Sequence, residues 1–215
     1  ADLDQTTLAV FGQASYQPTN ALTLTAGLRY EAVDNTLEDR DRIFTLADGS
    51  ASFASGTSFT DIEQDDSVWL PRFALQYQIS PEVMAYGSIA KGYRPSCINY
   101  RAENNETLTY DEEISWNYEL GLKSSWLDDR LAINLALFHN EVNNFQVALP
   151  DAIGLQRDIA NAEVEILGLE LEARATPIEG LDFIVGLGLI DAEFTEFTNP
   201  FTNQSFDGND LPFAP

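Results

Sequence analysis

Several things are scarce in this sequence, and each shortage excludes a class of protein. No run approaches the roughly 18 apolar residues that a membrane helix needs, so any membrane contact must be made by strands. One cysteine, Cys97, rules out an internal disulfide framework and a cysteine zinc cluster. Basic residues are few: 11 Lys and Arg stand against 35 Asp and Glu, a formal net charge of -24. That balance argues against nucleic acid as a partner. His139 is the only histidine, and no serine sits in a pattern with a paired His and Asp. No catalytic constellation is legible, and no enzyme and no resident cofactor or metal are expected. Nor does a leader open the chain, since Ala1 to Asp4 is neither basic nor followed by a suitable apolar segment. For an exported protein the leader is expected to be missing or already removed.

What is present is alternation. From Trp116 to Asn140 the chain reads WNYELGLKSSWLDDRLAINLALFHN. Trp116, Tyr118, Leu120, Leu122 and Trp126 fall on one face, and Asn117, Glu119, Gly121, Lys123 and Ser125 on the other. A period of two is a strand. Asp128 and Asp129 supply turn chemistry, after which Leu131, Ile133, Leu135 and Leu137 restart the pattern. Between the two tryptophans a strand tilted about 45° covers roughly 23 Å along a membrane normal. The apolar band of a transmembrane barrel is about 25 Å tall and edged by aromatic girdles. A hairpin of a soluble sandwich, with its aromatics in the core, fits this stretch equally well.

The rest of the chain repeats the motif. Leu22, Leu24, Ala26, Leu28 and Tyr30 alternate with Thr and Gly; Trp69, Phe73, Leu75, Tyr77 and Ile79 oppose Arg72, Gln76 and Gln78. Leu167, Leu169 and Leu171 alternate with Glu170 and Glu172, and Phe183, Val185, Leu187 and Leu189 follow. Val83 to Tyr93 reads as a strand whose facing is not fixed, because Tyr86 and Ile89 lie on opposite faces. Short turns fall near residues 18, 80, 128 and 178, and longer polar connections at 35 to 65, 94 to 112, 147 to 160 and 195 to 210. Short and long connections alternate strictly. That order predicts an all-β, antiparallel up-and-down meander of about eight strands, with short turns at one membrane face and long loops at the other. Greek-key sandwiches do not ordinarily sort their loops this way. Neither end reads as a closing strand, so an open curved meander is expected rather than a closed small barrel.

The charged clusters admit bland and sharp readings. Glu38-Asp39-Asp41, Asp61-Glu63-Asp65-Asp66 and Asp111-Glu112-Glu113 offer oxygens to Ca²⁺, but none matches an ordered calcium loop, and solvated acidic loops explain them better. His139 follows Leu137 near a loop end, where an interfacial structural role is expected. Tyr93-Arg94 and Tyr100-Arg101 are the candidates for holding an anionic chelate, because Arg offers a fixed donor fork and Tyr an amphipathic face.

Several segments resemble one family. Tyr118-Glu119-Leu120-Gly121-Leu122-Lys123-Ser124, Leu131 to Phe138, Asn161-Ala162 and Gly168-Leu169-Glu170-Leu171-Glu172 are similar to the C-terminal barrel of TonB-dependent outer-membrane receptors. Lys91-Gly92-Tyr93-Arg94-Pro95 resembles a recurrent strand end of that family, and residues 208–215 resemble a later loop. The motifs come in family order. The resemblance implies a plugged barrel of about 22 strands in a Gram-negative outer membrane. It implies import of a scarce ligand such as a ferric siderophore, another metal chelate or cobalamin, driven by a TonB-type energising protein. It also implies that residues 1–215 are a partial barrel domain, with the plug and the barrel C-terminus outside them. The partners so implied are outer-membrane lipid, the receptor's own plug, the energising protein and the ligand, with Tyr93, Arg94 and Arg101 as ligand-binding candidates. Ser96-Cys97 departs from the family pattern, which often has Gly there. A passive porin-like barrel and a soluble β-rich binding protein are the alternatives.

Overall fold

The structure is a computed structural model that describes residues 2–40, 43–45, 52–54, 59–99, 108–150 and 157–212. Twelve strands occur among them: β1 (Asp2–Thr19), β2 (Leu22–Arg40), β3 (Ile43–Thr45), β4 (Ser52–Ala54), β5 (Phe59–Ser80), β6 (Val83–Arg94), β7 (Cys97–Ile98), β8 (Thr109–Tyr110), β9 (Glu113–Trp126), β10 (Leu131–Pro150), β11 (Arg157–Ile178) and β12 (Leu181–Glu196). Eight form one sheet in the order β1-β2-β5-β6-β9-β10-β11-β12, and each adjacent pair runs antiparallel. Each main strand therefore pairs with the main strands before and after it in the chain. This is the expected up-and-down meander, and β1 and β12 are its two edges. Two-stranded pieces, β3 with β4 and β7 with β8, sit in the connections.

Register explains the two faces. Leu120, Leu137, Leu169 and Leu189 stand abreast across β9 to β12, and Leu122, Leu135, Leu171 and Leu187 form the next row. Leu120 is 66% exposed and Leu189 59%. In water, rows of bare leucine of this kind would be an association hazard; against hydrocarbon they are what a barrel exterior requires. Aromatic residues edge the rows on this face. Tyr30 and Trp69 meet with centroids 4.8 Å apart, and Trp116 and Tyr118 continue that edge. Tyr16, Tyr77 and Trp126 lie toward the short turns. Two rungs above the first leucine row the same face carries Lys91, Trp116, Glu141, Glu165 and Glu193 abreast, so the apolar band ends there. Pairing also fixes the facing of β6: Ile89 lies between Phe73 and Tyr118, whereas Tyr86 lies between Gln76 and Gly121 on the polar side.

The strands overrun the sequence-based loops. β2 and β5 remain paired up to Arg40 and Phe59, and β10 and β11 up to Pro150 and Arg157. At about 3.3 Å per residue the longest strands reach roughly 70 Å, well beyond an apolar band of about 25 Å. Their outer parts stand clear of lipid and need no apolar alternation. The β6–β9 pair is shorter and ends at Arg94 and Glu113. The β5–β6 ladder stops earlier still, at Arg72–Ala90, directly beside Pro71, which has no N–H to donate. Two buried clusters lie among the outer parts. One gathers Val142, Leu149, Ala162, Val164, Phe194 and Phe197; the other gathers Leu37, Ile98 and Leu108.

Candidate functional site

The sequence-predicted residues fall where the short β6–β9 pair ends between its taller neighbours. Tyr93 and Arg94 are the last two residues of β6, opposite Ile114 and Glu113. Arg101 and Tyr100 lie outside the described residues. Because β5 and β6 part above Arg72–Ala90, a polar cleft of about 420 Å³ opens there, above the apolar band on the face that carries Trp69 and Lys91, and is lined by these with Asp65, Ser67, Tyr93 and Glu112, whereas Arg94 falls on the opposite face. The Tyr93 hydroxyl donates to Asp66 Oδ2 at 3.2 Å. The same carboxylate oxygen accepts from Ser96 N at 2.8 Å and Ser96 Oγ at 2.5 Å. Arg94 is looser: its Nη1 is 3.9 Å from Glu113 Oε2 and its side chain is 60% exposed. An exposed pair at that distance contributes little to stability. The guanidinium fork thus retains donors for a carboxylate, phenolate or hydroxamate oxygen.

Around this point the loop segments are braced by residues that pattern reading missed. Asn35 is fully buried; its Nδ2 donates to Ser96 O at 3.2 Å, while its Oδ1 accepts from Gln5 Nε2 at 2.9 Å. From the other side Gln146 Nε2 donates to Pro95 O at 3.0 Å and Asp111 O at 3.1 Å. Burial sets Asp66 apart from the acids beside it. In the acidic run of β5, Asp61, Glu63 and Asp65 are exposed while Ile62, Gln64 and Asp66 on the opposite parity are partly covered. In β8, burial foremost and then the neighbouring Cys97 push the Tyr110 phenol up to about 12.

A second surface hollow, about 1510 Å³, lies elsewhere. It is lined mainly by apolar side chains, among them Leu75, Ile89, Leu120, Leu137, Leu169 and Leu189. These are the lipid-side rows, and they present almost no donor to an anionic chelate, so size alone does not make it the ligand site. His139 also lies on this side at the edge of the band. Its Nε2 is 2.8 Å from Glu165 Oε1 without hydrogen-bonding alignment, and its ring stacks on Tyr118 with centroids 5.9 Å apart. That is the interfacial role expected of it. Among the described residues no group of three or more His, Cys, Asp or Glu side chains is placed to hold a metal ion.

On the polar face Tyr86 Oη donates to Glu119 Oε1 at 2.6 Å, and the Lys123 ammonium stands 5.4 Å from the Tyr86 ring centroid. Beyond β12 the chain turns back. Leu211 N donates to Ala192 O at 2.9 Å, Asp207 Oδ1 accepts from Phe197 N at 2.7 Å, and Phe206 packs on Phe197. The Phe197 N–H foremost, then the Ser205 side chain, hold the Asp207 carboxyl below its ordinary range.

Comparison with known proteins matches residues 1–215 to the family model described as TonB dependent receptor-like, beta-barrel. A metal-pseudopaline receptor, CntO, of Pseudomonas aeruginosa is 31% identical over 140 residues, 65% of this chain and 19% of that protein. A pesticin receptor of Yersinia enterocolitica is 26% identical over 212 residues, 97% of this chain and 28% of that protein. Among solved structures, the ferric yersiniabactin uptake receptor FyuA from Yersinia pestis superposes with a TM-score of 0.75 at 22% identity, covering 99% of this chain and 30% of that one. The chain thus spans less than a third of the length of each of these relatives.

Proposed function

Since the chain belongs to the TonB-dependent receptor β-barrel family, we propose that it forms part of an outer-membrane receptor that imports a scarce metal chelate, such as a ferric siderophore, by energised transport. Proteins of this family sit in the outer membrane of Gram-negative bacteria, and so does this chain. The carrying observation is the pair of four-leucine rows on one face of a sequential antiparallel meander, bounded by aromatic edges, with Leu120, Leu122, Leu137, Leu171, Leu187 and Leu189 exposed and Leu135 and Leu169 half-buried. A soluble binding protein would hide those rows. In this reading the barrel has about 22 strands, residues 1–215 are a portion of its wall, and the plug and the contact with the energising protein lie in other parts of the receptor. The role is transport rather than catalysis. The chelate class is supported by two of the relatives, which are named as a metal-pseudopaline receptor and a ferric yersiniabactin uptake receptor.

Arg94, with Tyr93 beside it, is the leading described candidate for contacting an anionic chelate; Arg101 is proposed with them from sequence alone. An acidic rim favours fixed cationic donors deeper in the vestibule. The test uses the full-length receptor. Uptake of a radio-iron chelate that supports growth of the source strain should vanish when the inner-membrane energising complex is deleted, and Arg94→Ala should weaken chelate binding while heat-modifiability on a gel stays normal. Uptake that persists without energisation would make the protein a passive barrel.

A further inference from the structure

The β6–β9 connection is tied to strands on both sides of it. Toward β2 and β5, Ser96 gives its N–H and hydroxyl to Asp66, its carbonyl accepts from Asn35, and Tyr110 O accepts from Gln64 Nε2 at 3.4 Å. Ile98 and Leu108 are buried against Leu37, with Ile62 packed on the same cluster. Toward β10 and β11, Gln146 Nε2 reaches the carbonyls of Pro95 and Asp111, Gln146 N donates to Glu113 Oε2 at 3.0 Å, and Asp111 N donates to Asn161 Oδ1 at 3.1 Å. The two arms of the connection are joined to each other through Cys97 paired with Tyr110 and through Asn99 N donating to Leu108 O at 2.6 Å.

These contacts follow from strand lengths. The β2–β5 and β10–β11 hairpins stand tall, and the pair between them ends at Arg94–Glu113. Above the short pair the tall hairpins have no strand between them, and side chains from both reach residues 95–99 and 108–112 there. A loop that swings to admit a ligand has few buried apolar contacts and many solvent-exposed hydrogen bonds. The described bases of this connection have the opposite character: Ser96, Ile98, Asn99 and Leu108 are all buried.

We propose that the two bases of the β6–β9 connection, residues 95–99 and 108–112, form a fixed strut that joins the two tall hairpins across the short pair between them, held in place by Asp66 and Gln146 as positioning residues. These two bases form a static part of the vestibule wall. The inference rests on the receptor reading above for the word vestibule, and deepens it by assigning a mechanical role to one loop.

Cys97, in β7, is a built-in reporter. In outer-membrane vesicles carrying the full-length receptor, with any cysteine outside residues 1–215 replaced by serine, the probe is a polyethylene-glycol maleimide. Cys97 is only partly exposed between buried Ser96 and Ile98, so a bulky polymer should label it at least about tenfold more slowly in the folded barrel than after SDS unfolding. Asp66→Ala and Gln146→Ala should each raise the rate several-fold with the barrel still heat-modifiable. Asp66→Asn, which keeps an acceptor oxygen for Ser96, should stay near wild type. Should Asp66→Ala fail to assemble, Gln146→Ala decides. A wild-type rate equal to that of the unfolded chain, or alanine variants that label no faster, would overturn the strut. Labelling needs neither chelate nor energy, so failure here with energised uptake intact sinks only this inference, while loss of the uptake reading leaves it standing.

Discussion

Tyr86 lies across Gly121 on the neighbouring strand, occupying the space a Cβ at 121 would take. The ring cannot simply swing away, because its hydroxyl is bonded to Glu119 and Lys123 sits over its face. Phe138 covers Gly168 in the same manner, without a polar anchor. Gly121→Ala should therefore cost about 1–3 kcal/mol by overpacking, and Gly168→Ala less, since Phe138 can move. Urea unfolding of the detergent-refolded receptor gives the order. A near-additive Gly121→Ala, Tyr86→Ala double mutant would show that the ring is not the obstacle.

The lipid face makes its own prediction. Leu135 is flanked by Leu122 and Leu171 in the second leucine row. Leu135→Arg should destabilise the barrel by about 2–4 kcal/mol if it lies at the bilayer midplane. Glu172, on the opposite face beside Asn134, should tolerate Gln with little change. Refolding into lipid vesicles distinguishes them, and equal losses would refute the assignment of faces.

Asn35 is a test of buried polar satisfaction. It is fully buried and joins Gln5 to the Ser96 carbonyl. Asn35→Ala strands both partners and should cost about 1–3 kcal/mol. Amide exchange should accelerate first in residues 96–98, ahead of the leucine-bearing strands. Uniform acceleration across the sheet would instead mark Asn35 as a determinant of the whole fold.

Asp207 predicts acid sensitivity at the return segment beyond β12. Its carboxyl is depressed by the Phe197 N–H and then by the Ser205 side chain. A depressed carboxyl contributes order that is present above its unfolded pKa and lost as pH falls through the lower, folded value. The protection factor of the Phe197 amide should thus hold at about pH 5 and fall on acidification below the ordinary carboxylate range, near pH 4. Asp207→Ala should lack that protection throughout. Protection that rises on acidification would reverse the sign and exclude the carboxylate as its source.

The sequence was legible where lipid imposes a rule. Along Trp116–Trp126 every second residue but Ser124 is apolar, along Leu131–Leu137 every second one is, and that alternation with the short turn between named strands, face and pairing. Above the band that rule lapses. Asn35 pairs with Gln64 and Thr36 with Glu63 in continuous ladder, yet nothing in their polarity distinguishes strand from loop. β6 was ambiguous because Ala85, Gly87, Ala90 and Gly92 carry little pattern on either face. Tyr93 and Arg94 were found as a strand end, but Asp66, Asn35 and Gln146 act on backbone groups 30, 61 and 51 residues away, a relationship that composition does not encode.

Each main strand is hydrogen-bonded only to its predecessor and its successor, and this has an evolutionary consequence. A hairpin can be duplicated or lost without rewiring any other pair, so a wall of this kind changes circumference in steps of two strands, the even counts that bacterial barrels show. The strut is the exception to that modularity. Because it bridges β2 and β5 to β10 and β11, loss of the β6–β9 hairpin would remove a brace as well as two strands, and that hairpin should be the one least free to vary in length.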